Sequence, residues 1–277
     1  MSDALRAPGA VLGLALTAAL LGLALFADVI APGDPFAPVA APLSPPSRAH
    51  LMGSDDLGRD LLCGVIHGAR TSVVVSLGVT AIAALIGIVV GAVAGYGPGG
   101  VDDVLMRGTE SVQVVPRFFL AVVVIALFGP GLDRVVAVLG LSSWPAIARV
   151  VRAETLSLAR REFVDAARAL GASAPRILVR QVLPNALPAA LVVLSLNAAS
   201  VILLEAGLGF IGLGDPRAMS LGYLANNAQR FLRVAWWMAV FPGAAIALAI
   251  LGLNLLGDAL ADLGYPHRVR GGALAAY

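Results

Sequence analysis

Six stretches of this chain are apolar for so long that they fix its solvent before any motif is considered. Val11 to Ile30, Thr71 to Gly95, Val104 to Phe128, Leu132 to Val151, Ala189 to Gly212 and Val234 to Gly257 are dominated by Val, Leu, Ile, Ala and Gly. A helix rises about 1.5 Å per residue and bilayer hydrocarbon is about 30 Å thick, so about 20 such residues cross it. Each run is read as one membrane helix, which makes the fold all-α and polytopic with six transmembrane spans. Composition agrees, with 59% hydrophobic residues and 13% charged, where a soluble domain has roughly 25% charged.

The first run is too long for the apolar core of a signal peptide, and no small-x-small cleavage site follows it, so it is expected to stay as the first span. The fourth is the weakest, uncharged only from Val135 to Ala148, but the flanking Arg134 and Arg149 can snorkel to the two interfaces. Pro116 is expected to kink the third. Gly97-Pro98-Gly99-Gly100 and Gly129-Pro130-Gly131 read as tight turns, and Trp236 and Trp237 open the sixth span at headgroup level. Residues 1–70 are taken as a first helix and an external Pro-rich segment, 71–266 as a five-helix core, and 267–277 as a tail with Arg268 and Arg270.

The external segment carries Asp55, Asp56 and Asp60 in HLMGSDDLGRDLL, which does not fit a calcium loop. It is expected to be a solvated turn leading into a short helix. All basic residues are Arg, with no Lys. A phosphate-binding P-loop needs a Lys to reach the β and γ phosphates, so no standard ATPase site is expected in this chain. The net charge of +2 is assigned to loops beside lipid headgroups and not to nucleic acid. One cysteine, Cys63, and three scattered histidines, His50, His67 and His267, give no disulfide and no metal site.

Two acidic features invite a catalytic reading. Gly212-Leu213-Gly214-Asp215 matches the GxGD wording of intramembrane aspartyl proteases, with Asp258 as the conceivable second acid. The two should lie a membrane thickness apart, so no catalytic residue is assigned. Glu205 interrupts the fifth run. An ionisable group there is costly and faces protein or water, which suggests a gate or a packing partner, for example for an Arg between Gly214 and Arg233.

The most polar island runs from Arg160 to Pro188. Phe163, Ala167 and Leu170 share one helical face, and Arg161, Asp165 and Arg168 another. Gly171 is placed for a left-handed C-cap, with Ser173 and Pro175 starting a second helix. Arg6, Arg107, Arg160, Arg161, Arg168, Arg176, Arg180, Arg268 and Arg270 should mark the cytoplasmic side, with both termini there.

Within this island Asp165-Ala166-Ala167, then Gly171, then Gln181-Val182-Leu183-Pro184 resemble the EAA loop of permease subunits of ATP-binding-cassette (ABC) importers. With AARALGAS, VLPN and EAGLGFIGLG, and with GSDxLGRD before the second span, the chain is most similar to the second permease subunit of the dipeptide, oligopeptide and nickel type. Asp165 replaces the usual Glu, and Gln181 a usual apolar residue. The resemblance implies a type I importer permease in the inner membrane, coupled through Glu162, Asp165, Ala166, Ala167, Gly171, Leu183 and Pro184. It implies as partners a second homologous permease, two ATPase subunits or domains holding ATP and Mg, and an extracytoplasmic solute-binding protein. Path-lining positions would be apolar, with cargo recognition left largely to the binding protein. The rival is an ion-gradient-driven secondary transporter, which would want inverted repeats and midplane ion ligands that this chain lacks.

Overall fold

A computed structural model describes residues 8–97 and 99–264. The expected basic tail, with His267, Arg268 and Arg270, and the N-terminal Arg6 lie outside the described residues. The described chain is almost entirely helical: α1 Pro8–Leu25, α2 Ala27–Ile30, α3 Leu61–Tyr96, α4 Gly99–Gln113, α5 Arg117–Phe128, α6 Leu132–Leu158, α7 Glu162–Ala169, α8 Ala174–Ile177, α9 Leu183–Phe210, α10 Leu221–Ala228 and α11 Trp237–Gly264. Five of these segments, one of them α8 continuous with α9, are long and apolar enough to cross a membrane, and α4 with α5, bent by 67°, can form a sixth span.

The largest helical interface joins α3 to α6, and glycine makes it close. Gly87, Gly91 and Gly95 recur every fourth residue, so they lie along one face of α3. A Cβ on Gly91 would stand 2.4 Å from the Ala148 carbonyl oxygen, and one on Gly95 2.7 Å from that of Arg152. Gly140 of α6 answers with its own bare backbone against Ile82. With no hydrophobic driving force between helices in lipid, such small-residue faces are what let backbones meet. The pairs advance together, Ile82 with Gly140, Gly91 with Ala148, Gly95 with Thr155, so α3 and α6 run parallel. The chain must therefore cross back between them, and α4 with α5 supplies that return. The third span is thus a broken one, sharper than the kink expected at Pro116.

The remaining long helices alternate in direction. Gly13 of α1 meets Leu255 of α11, and Gly252 meets Leu16; Gly257 of α11 meets Ser195 of α9. These antiparallel pairings bring the start of α1 and the end of α11 to the same end of the bundle as Tyr96, Leu158 and α7.

At the opposite end, the segment before α3 is neither solvated nor followed by a short helix. Asp55 and Arg59 are buried. The Asp55 carboxylate accepts from the Leu57 and Arg59 N–H groups, each at 2.9 Å, and from Arg59 Nε. The Arg59 guanidinium lies over the Phe36 and Tyr223 rings at 5.8 and 5.6 Å and donates to the Tyr223 hydroxyl. Asp60 caps α3 by accepting from Cys63 N–H at 2.9 Å, and that cap starts the helix ten residues before the apolar run does. Trp237 is also buried, its indole donating to Ser54 O at 3.1 Å; only Trp236 stays outward.

Candidate functional site

The island from Arg160 folds as expected into helix, turn and helix. α7 starts after the extended Arg161 and ends at Leu170. Gly171 takes φ +78°, a conformation that costs residues with a Cβ about 1 kcal/mol or more. The Ala172 N–H then reaches back to Ala167 O at 3.1 Å, and the Gly171 N–H to Arg168 O at 2.9 Å, closing the helix end. Ser173 sits at the N-cap of α8 with extended backbone, but its hydroxyl makes no capping bond.

The face assignment is corrected by the structure. Val164 and Ala167 turn inward, Ala167 being only 7% exposed, and with Ile177 and Val182 they form a small core against Tyr96 and Leu158. Phe163 and Leu170, expected beside Ala167, are instead 42% and 89% exposed. The outward apolar face is therefore Phe163, Ala166 and Leu170, spaced i, i+3, i+7, with Glu162 and Asp165 exposed beside it. The periodicity at Phe163, Ala167 and Leu170 missed this because a helix this short can satisfy two apolar faces at once.

Behind α7 the chain stays continuous into α9 through a π-helical segment, Leu178–Val182. Its origin is local. Pro184 has no N–H for the Arg180 carbonyl, and the ladder shifts so that the Leu183 N–H bonds Leu178 O, five residues back. The Asn185 side chain donates to Gln181 O at 2.6 Å. Gln181 Oε1 is buried without a partner. Leu183 is half-buried and Pro184 exposed, so these two site residues belong to the base of the loop and not to its tip. Arg168 lies over the Tyr96 ring at 5.8 Å and pairs with Asp165 at 3.0 Å, fixing α7 to the end of α3.

Glu205 lies in α9 and is buried. It accepts from the Ser72 hydroxyl at 2.8 Å, and the Ser220 hydroxyl lies beside it. Its neighbours are thus hydroxyls of α3 and of the turn before α10, not an Arg of the 214–233 connection. Ser220 in turn caps α10 through the Tyr223 N–H. Three elements therefore meet on one carboxyl group.

Asp215 is held by Arg217, whose Nε and Nη2 each donate at 3.1 Å. These bonds, with the Arg217 charge, hold its carboxyl below the usual carboxylate range. Asp258 is exposed near the far end of α11, about 30 Å along that helix from Trp237. No acid pair forms there. Two features had no role in the sequence reading: the glycine face of α3, visible as a G-x-x-x-G-x-x-x-G repeat, and Arg117, placed near the start of a span.

A family model described as the inner membrane component of binding-protein-dependent transport systems matches residues 87–269. The chain is 37% identical over 262 residues to the di/tripeptide transport system permease protein DppC of Pseudomonas aeruginosa, covering 92% of this chain and 86% of that one. It is 38% identical over 258 residues to a putative peptide transport system permease protein of Brucella suis, covering 92% and 87%. Among solved structures it resembles an inward-facing form of the MetNI methionine ABC transporter, with a TM-score of 0.61 and 19% identity over 74% of this chain and 97% of that one.

Proposed function

Because the chain belongs to the inner membrane components of binding-protein-dependent transport systems, we propose that α7 is the element through which this ABC importer permease receives the stroke of its ATPase partners. The chain is a transport subunit with a type I importer fold. Two ATPase subunits or domains sit on the α7 side, which is cytoplasmic and carries both termini. A second, related permease completes the path, and an extracytoplasmic binding protein delivers a peptide-like solute, the cargo class named for the relatives. ATP and Mg belong to the ATPases, since this chain has no Lys for a P-loop.

One observation carries the assignment: an unpartnered apolar tip on a rigid base. Phe163, Ala166 and Leu170 face outward, while Val164 and Ala167 pack against the ends of α3 and α6 and the start of α9. A push on the tip is thereby delivered to three spanning helices at once, which is what a rigid-body switch from inward to outward access needs. The ion-gradient reading has no comparable feature.

The test is to purify the importer carrying Leu170→Glu, Gly171→Val or Ala167→Leu and measure ATPase retention with cargo-stimulated hydrolysis. Leu170→Glu alters only the exposed tip, so it should release the ATPase subunits while leaving the folded permease intact. Ala167→Leu should act from behind, by overpacking the base at about 1–3 kcal/mol. Normal retention and stimulation in all three would refute the assignment.

A further inference from the structure

Arg117 is the first residue of α5, beside the 67° break from α4. Its Nη1 donates to Ser143 Oγ at 3.2 Å and to Asn197 Oδ1 at 3.4 Å, and Asn197 Nδ2 donates to Thr80 Oγ1 at 3.3 Å. Ser143 and Asn197 each lie about 16–23 Å from both ends of their helices at 1.5 Å per residue, so the guanidinium sits near the middle of the membrane layer. An ionisable group at that depth is costly and is usually neutralised or functional. Two other arginines of the spans show the usual solutions: Arg152 pairs with Asp102, and Arg134 donates to the Gly129 and Pro130 carbonyls near an interface. Among the described residues Arg117 has only neutral partners.

Both donors of Nη1 are used, which leaves Nε and the two N–H groups of Nη2. Nε and Nη2 hold no hydrogen bond among the described residues and are not fully enclosed, so they are open to the space beside Arg117. That space is a cavity of about 350 Å³ lined by Gln113, Pro116, Arg117, Ser142, Ser143 and Pro145. Ser142 is shared with a neighbouring apolar groove of about 440 Å³ along Leu120, Val124, Val138 and Leu141. A free guanidinium edge, with two parallel N–H vectors, matches a carboxylate bidentately. Lipid phosphate is excluded by depth, since the hydrocarbon half-thickness of about 15 Å lies between.

We infer that the Arg117 cavity is a carboxylate-binding station on the translocation path, taking the free carboxylate of the passing solute while the apolar groove takes its side chains. The inference rests on the importer reading above and changes one part of it, because an apolar path would leave all recognition to the binding protein. Neutral partners on one edge keep the charge in place without occupying the other edge.

The test uses the assembled importer with Cys63→Ala and Ala146→Cys, Ala146 being an exposed residue of the cavity wall. Anionic sulfonatoethyl and cationic trimethylammonioethyl methanethiosulfonate are compared with Arg117 present and with Arg117→Gln. The anion-to-cation rate ratio should be about tenfold higher with Arg117, the effect of a nearby unscreened charge. An unchanged ratio would mean that a carboxylate of the companion permease already neutralises the guanidinium, and would overturn the inference. In proteoliposomes with saturating binding protein, trialanine uptake should fall about tenfold in Arg117→Gln, with Arg117→Lys between, since Lys keeps the charge and loses the fork. Wild-type uptake in Arg117→Gln would overturn the station and leave the peptide reading standing. No trialanine uptake by the wild type, with the charge ratio intact, would reject the peptide reading and keep the station for another carboxylate-bearing solute. If Arg117→Gln fails to assemble, the neutral Arg117→Met carries the rate-ratio measurement and Arg117→Lys the uptake measurement; an unchanged ratio in the first or wild-type uptake in the second would overturn the inference.

Discussion

Replacing Gly91 by Ala is the smallest change that should loosen the membrane core. The added methyl would lie 2.4 Å from the Ala148 carbonyl oxygen and 2.8 Å from Val151 Cβ, both on α6. Ordinary contact needs more than 3 Å, so α6 must withdraw by about 1 Å or α3 must bend, at the overpacking cost of about 1–3 kcal/mol. Helix propensity works the other way and favours Ala over Gly by about 1 kcal/mol. At Gly108 in α4, where a Cβ meets nothing within 4 Å, only the propensity gain operates. The two substitutions are chemically identical, so the difference between them isolates the seam. Thermal unfolding of the detergent-solubilised protein should therefore show Gly108→Ala at or slightly above wild type. Gly91→Ala should fall below it by a few degrees, at about 2–4 °C per kcal/mol for a chain of this size, and Gly91→Leu much further. A Gly91→Ala midpoint equal to that of Gly108→Ala would show that α3 and α6 do not touch at this register.

Three further outcomes are expected. Glu205→Ala strands the Ser72 hydroxyl and should cost about 1–3 kcal/mol while lowering uptake of every cargo alike; Glu205→Gln keeps an acceptor and should come close to wild type, and selective loss of one cargo would place Glu205 in a specificity site. Gln181→Leu removes a buried amide oxygen without a partner and should stabilise by on the order of 1 kcal/mol, raising the unfolding midpoint by about 2–4 °C; a drop would mean that a companion subunit satisfies that oxygen. In cysteine-accessibility labelling, position 45 should react with reagents applied from outside the cell and position 173 should not, and labelling of both would invert or break the topology.

Much of the fold was legible because lipid imposes one rule on all spans: a helix must be apolar for its full crossing. The limits of those spans were less legible. α3 begins at Leu61 because Asp60 caps it, although His67 and Arg70 made its first turns look external. His67 instead faces Ala31 O, and Arg70 pairs with Asp28. α6 runs on to Leu158 because Arg152 finds Asp102 on α4. In each case a partner distant in sequence absorbed a polar group that hydropathy alone counts against the helix. The coupling element was legible in its turn, where Gly171 answers a backbone need. Its faces were not, since burial of Val164 and Ala167 depends on Ile177 and Val182, which only the folded loop brings back. Arg117 was hidden for the opposite reason: next to the expected kink at Pro116 it reads, with Arg107 and Glu110, as one of the charges early in the third span, until three helices are seen to converge on it.

The parallel seam between α3 and α6 also bears on how the chain is made. Gly91 and Ala148 are 57 residues apart, and at about 5–20 residues per second the ribosome needs about 3–11 s to deliver the second after the first. Throughout that interval the bare glycine stripe of α3 is in the bilayer with its true mate unsynthesised. Any neighbouring helix with small side chains is a competitor for it. A chain truncated after Phe128 would keep the stripe permanently unsheltered and should accumulate as self-associated species or be degraded, whereas one ending after Leu158 has already closed it.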